Sequence, residues 1–143
     1  MTRDETTRFL ERWQQAWAAR DPAALANLYA SDCRVKSPMF GPLQGRAAVL
    51  ESFRKLFTAF PDWQVTIEQL IVDGDRAAIV CSTNATHSAE FMGLPGTGRK
   101  TQVSGVFVLR LGEAAIEEEL RLYDFTALLV QVGVLRAKVG HGL

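Results

Sequence analysis

Four polar side chains near the ends of strand-like runs have the types and spacing to do chemistry: His87, Arg121, Tyr123 and Asp124. His87 stands in "THSAEFMGLPGTGRK", just before a glycine-rich reversal. An imidazole with a reference pKa of ~6.5 can act as a general base or donate to a ligand carbonyl. Alternatively its ring bonds a loop carbonyl and holds "GLPGTGR" in place. Arg121 cannot act as a base near neutrality, but its planar fork of donors suits a carboxylate or an enolate. It can equally pair with Glu119, its same-face neighbour two residues back. Tyr123 is placed to orient a substrate beside it. Asp124 offers an acid–base group, or, immediately before "FTALLVQV", a helix N-cap worth ~1 kcal/mol.

These groups need elements that aim them at one place. "TRDETTRFLERWQQAWAAR" has Thr2 and Glu5 at capping-box spacing, with Phe9, Leu10, Trp13, Ala16 and Trp17 on one helical stripe. Asp21-Pro22 starts a short second helix, Ala23 to Ala30. "CRVKSPM" alternates as a strand and "FGPLQG" turns it. A third helix runs from about Arg46 to Phe60. From Trp63 the period becomes two, with a "DGD" hairpin signal at 73–75 and further strands at 76–91, 101–111 and 116–124. A last short helix begins at Asp124. The sum is one α+β domain over residues 1–143, its helices packed on one face of a curved antiparallel sheet.

Side chains on one strand face recur every two residues, and odd positions carry the larger apolar share: Val35 and Met39, Trp63 to Ile71, Ile79 and Cys81, Phe107 to Leu111. Odd parity therefore marks the helix-covered face. It gathers Ser37, His87, Arg121 and Tyr123 among Trp13, Trp17, Met39, Phe57, Trp63 and Phe107, an apolar lining with a few polar groups. Asp124 falls on the other parity. A hollow of ~300 Å³ or more reaching His87 would favour a ligand, and a packed interior an interaction domain.

Composition narrows the partners. Apolar residues are 48% and charged residues 22%, as in ordinary globular chains; Lys plus Arg and Asp plus Glu are 16 each, so the formal charge is zero. That neutrality counts against nucleic acid. No run approaches the ~18 apolar residues of a membrane span, and no leader is visible, so a cytoplasmic protein is expected. Cys33 and Cys81 read as buried thiols. His87 and His141 are the only histidines, which argues against a His-rich metal site, and "GLPGTG" lacks the GK[ST] of a phosphate loop. No cofactor is implied.

The element order, with "FPDW" before the meander, "THSAEFMGLPGTGRK" within it and "YDFTALLVQVG" at its end, resembles the SnoaL-like polyketide cyclase family of the nuclear-transport-factor-2-like superfamily. Asp124 followed by Gln131 and Gly133 is the most specific piece. The resemblance implies a conical barrel with an internal pocket and a homodimer through the sheet. It also implies a small, largely apolar ligand with a carbonyl or acid group, and cofactor-independent cyclisation (polyketide or ester), isomerisation or hydration. The superfamily also contains non-catalytic proteins, so a ligand-binding or interaction domain with a filled pocket is the alternative. Residue by residue, the family's catalytic aspartate position holds Arg121, a pocket histidine is replaced by Phe107 and a pocket glutamine by Gly105. In the steroid isomerase relatives, Ser37 falls where the aspartate base stands and Trp13 where the oxyanion tyrosine stands.

Overall fold

A computed structural model describes residues 1–136; His141 lies outside them. The order is α1 (Arg3–Ala19), α2 (Pro22–Ala26), β1 (Tyr29–Ser37), β2 (Gly41–Gln44), α3 (Arg46–Ala59), β3 (Gln64–Asp73), β4 (Arg76–Thr86), β5 (Lys100–Gly112), β6 (Ala115–Tyr123) and α4 (Phe125–Gln131). The capping box is present. Thr2 Oγ1 accepts from Glu5 N at 3.2 Å, and Glu5 Oε2 accepts from Thr2 N at 2.8 Å. Asp21 caps α2 by accepting from Ala23 and Ala24, with Pro22 at the first turn. The α2 helix stops at Ala26, four residues earlier than its sequence suggests, because Tyr29 is needed in β1, where its ring is fully buried.

The strands form one six-stranded sheet in the order β2-β1-β6-β5-β4-β3. The predicted meander is β3 to β6. Two features depart from expectation. The sheet is open, with β2 and β3 as edges, so it is not a closed barrel. It is also not wholly antiparallel, because β1 joins β6 in parallel, with Val35 opposite Glu119. The parallel pair is possible because α3 and the meander carry the chain from β1 back to β6 as a long crossover.

Odd parity holds for β1, β4 and β5: Cys33, Val35, Ser37, Ala77, Ile79, Cys81, Thr83, Val103, Phe107 and Leu109 are all buried. It fails at two bulges. Between Ile67 and Gln69 the pairing with β4 slips by one, so Val72 turns inward while Ile71 is 56% exposed. A second slip around Glu117 brings both Ile116 and Glu119 to the buried face. One extra residue reverses every side chain beyond it and bends the strand. Against the inner face, α1 and α3 contribute Phe9, Leu10, Trp13, Trp17, Val49, Phe53 and Leu56. Trp13, Trp17, Phe53 and Phe107 meet mainly edge to face at 5.2–5.9 Å.

Candidate functional site

The most buried charged groups lie on β6. Arg121 Nε donates to Glu119 Oε2 at 2.7 Å, and the Tyr29 hydroxyl reaches both Glu119 oxygens at 2.8 and 2.9 Å. Arg121 and Glu119 are 4% and 3% exposed, and the guanidinium carbon sits 4.9 Å over the Phe53 ring. Two ions so deep persist only as a pair with their remaining hydrogen-bonding positions met. Burial works against the Arg121 charge, but the Glu119 carboxylate more than offsets it and holds the guanidinium above its ordinary pKa. Burial, then the Glu119 charge, pushes Tyr29 well up. One end of this cluster is incomplete: Arg121 Nη2 has no hydrogen-bond partner.

Arg121 lines an enclosed, almost wholly apolar cavity of about 30 Å³, together with Trp17, Trp63, Phe107, Tyr123 and Met39. Three buried indole nitrogens are unpartnered as well. Trp17 Nε1 and Trp63 Nε1 are buried without partners, as is Trp13 Nε1 against the neighbouring rings. Tyr123 Oη lies 3.2 Å from Ser37 Oγ, and burial raises its pKa although the Ser37 contact and the Arg121 charge oppose the rise. Ser37 in turn accepts from the Met39 and Phe40 amides, fixing the β1–β2 turn at the cavity wall. Gly105 completes the floor: a Cβ there would lie 2.9 Å from Tyr123 Cβ, so only glycine lets β5 pass this close to the tyrosine.

Of the expected lining, Trp17, Met39, Trp63, Phe107, Arg121 and Tyr123 converge on the cavity. Trp13 packs behind it on Phe107, Phe57 behind it on Trp17, and Ser37 touches it through Tyr123. His87 and Asp124 do not reach it. The His87 ring is completely buried between Phe60 and Phe91, with Nδ1 3.0 Å from Thr97 Oγ1. Its backbone exchanges hydrogen bonds with Arg99 and Gly98, which prolongs the β4–β5 pairing. Asp124 is exposed and caps α4, accepting from Ala127 N at 2.9 Å. The sequence reading passed over Phe40, Leu56, Thr83, Val103 and Leu128, which also line the cavity. Thr83 and Val103 carried the odd-parity signal; Phe40 and Leu128 come from a turn and a helix end that strand parity does not address.

An outer cleft of about 420 Å³ between the β1–β2 turn, α3 and residues 90–92 is also lined by Met39 and Phe40, so these two side chains separate it from the inner cavity. Among the described residues no cluster of three His, Cys, Asp or Glu side chains is placed to hold a metal. Cys81, in the cavity wall, is a free thiol whose pKa burial pushes up to about 11, which suppresses thiolate chemistry.

The model of the family described as SnoaL-like polyketide cyclase matches residues 7–132. The chain belongs to the SnoaL-like polyketide cyclase family. AclR from Streptomyces galilaeus, a proposed hydroxylase, is 24% identical with a TM-score of 0.85, over 96% of this chain and 87% of that one. IdmH from Streptomyces antibioticus, a proposed polyketide cyclase, is 26% identical with a TM-score of 0.75, over 90% and 98%. A Catenulispora acidiphila protein with a ketosteroid isomerase-like fold is 22% identical with a TM-score of 0.72, over 87% and 92%. No curated protein matches. This SnoaL-like chain therefore shares the ketosteroid isomerase and nuclear-transport-factor-2-like fold, with an Arg121–Glu119–Tyr29 cluster buried on the inner face of its sheet. None of its described helices is long and apolar enough to cross a membrane.

Proposed function

We propose that this SnoaL-like protein binds a small, largely apolar molecule through a carbonyl oxygen, with Arg121 and Tyr123 as the groups that grip that oxygen. The observation that carries the reading is that three residues lining an apolar cavity, Arg121, Trp17 and Trp63, each keep a buried donor without a partner, Nη2 and the two Nε1 atoms. Each buried donor without an acceptor costs roughly 1–3 kcal/mol, so an interior selected only for packing would not retain several together. A guest oxygen that reached Arg121 Nη2 would satisfy it.

The chemistry within reach is polarisation of a neutral carbonyl by these donors, which favours its enol without a cofactor. Among the described residues the cavity wall holds no carboxylate or imidazole, and Cys81 and Tyr123 are both shifted away from acting as bases. Cyclisation, isomerisation or hydration at this site is therefore expected only for guests whose reacting carbon is already acidic, such as a methylene between two carbonyls. His87 and Asp124 serve loop and helix rather than chemistry. The test compares binding of an aromatic ketone to wild type, Arg121→Met and His87→Ala. Loss in the first variant and retention in the second supports the reading; wild-type affinity in Arg121→Met removes it.

The cavity volume favours a second reading. About 30 Å³ holds little more than water, and a larger guest has to displace Met39 and Phe40 toward the outer cleft. If the hollow never opens, the protein is an interaction domain. In either reading we propose a homodimer through the outer sheet face. Ile71, Ala78, Val108 and Leu120 lie in one row across four strands, beside Val80, Val106 and Leu122. Ile71, Val108 and Leu122 are 56%, 39% and 52% exposed, and the rim carries both signs in Arg34, Arg110 and Glu118. An isologous contact needs such self-complementarity.

A further inference from the structure

Glu119 is in the position of a specificity determinant, although it does not line the cavity. It lies behind Arg121, joined to Nε at 2.7 Å, while Nη2 of the same guanidinium has no partner and Arg121 lines the hollow. The carboxylate cancels the arginine's charge within a few ångströms. Its two oxygens are also occupied by the Tyr29 hydroxyl, at 2.8 and 2.9 Å, so it has no freedom to swing away. Among the described residues the cavity wall holds no other ionised side chain at neutral pH: the remaining polar groups are Thr83, Cys81, Tyr123 and two indoles.

We infer that the site is built for an electrically neutral guest, a ketone, quinone, ester or lactone oxygen rather than a carboxylate, and that Glu119 sets this preference. The inference rests on the ligand reading above and narrows it. An arginine facing a cavity alone would select an anion, because an unpaired buried cation takes any anion that reaches it. An arginine already neutralised offers directional N–H donors without a net attraction. A carboxylate entering this hollow would lose its hydration to gain one N–H and would face the field of Glu119 behind it, whereas a carbonyl oxygen loses far less.

The experiment titrates two probes of equal size, acetophenone and benzoate, into ¹⁵N-labelled protein and follows the indole N–H signals of Trp13, Trp17 and Trp63. Wild type is expected to bind acetophenone at least about tenfold more tightly than benzoate. Glu119→Gln, which leaves Arg121 with its charge uncancelled, is expected to reverse that order. A residue with only a structural role would weaken both probes alike. Tighter benzoate binding by wild type overturns the inference and leaves the ligand reading standing. Indole signals unmoved by either probe remove both. Should Glu119→Gln fail to fold, the wild-type ranking decides alone; a folded variant that keeps the wild-type order overturns the role of Glu119.

Discussion

Arg121 and Glu119 are two positions apart on β6, and strand periodicity alone puts them on one face. The sequence supports two readings of that spacing, ligand contact or mutual pairing, and the structure contains the pair together with the free Nη2 that leaves room for the contact. Their energetic coupling is testable apart from any ligand. Arg121→Met strands Glu119 as a buried ion and is expected to lose about 3–5 kcal/mol, whereas Glu119→Gln/Arg121→Met removes both charges and loses much less. Urea denaturation of the two single variants and the double variant checks this; additive losses would mean the ions do not depend on each other. Tyr29 was not legible as their partner. It precedes the strand that the sequence marks, and its contact depends on a parallel β1–β6 pairing that no local pattern encodes.

At the scale of elements, the loop from Ser88 to Arg99 and helix α4 hold the ends of β4 and β5. His87 bonds Thr97, and Gly96 packs so closely that a Cβ would lie 2.3 Å from the Ser88 carbonyl oxygen. The motif's histidine and glycines thus shape a reversal. His87→Ala is expected to destabilise by roughly 1–3 kcal/mol and to expose residues 88–99 to proteolysis; unchanged protease resistance would contradict this. The Gln131 amide accepts from Gln102 N at 2.7 Å and donates to Gln102 O at 2.9 Å, occupying the β5 edge beyond the end of β6. Gln131→Ala is expected to cost about 1–2 kcal/mol, measured as a shift in the denaturation midpoint. Helix stripes, caps and most of the strand faces were readable because each depends on neighbours a few residues away. The bulges at Ile67–Gln69 and Glu117 were not, since a bulge is set by what lies across the sheet, and the first of them accounts for the misplacement of Ile71.

For the whole molecule, two properties follow from what is buried and what is left uncovered. Burial pushes Cys81 up to about 11, and Tyr29 is raised as well. For groups whose folded pKa lies above the unfolded value, stability is complete below the unfolded pKa and falls as pH rises toward the folded one. The urea midpoint should therefore decline from about pH 9 upward, less steeply in Cys81→Ala; a flat profile would contradict the burial of these groups. On the outer face, Leu122→Glu is expected to halve the mass seen in light scattering, and a wild-type monomer would refute the dimer. In the proposed function Arg121 grips a carbonyl oxygen in an apolar hollow, and infrared difference spectroscopy of carbonyl-¹³C acetophenone on the protein reads that bond directly. A carbonyl stretch at lower frequency than in an apolar solvent is expected, with the shift lost in Arg121→Met. A bound carbonyl at its apolar-solvent frequency, or the same shift in that variant, would contradict it.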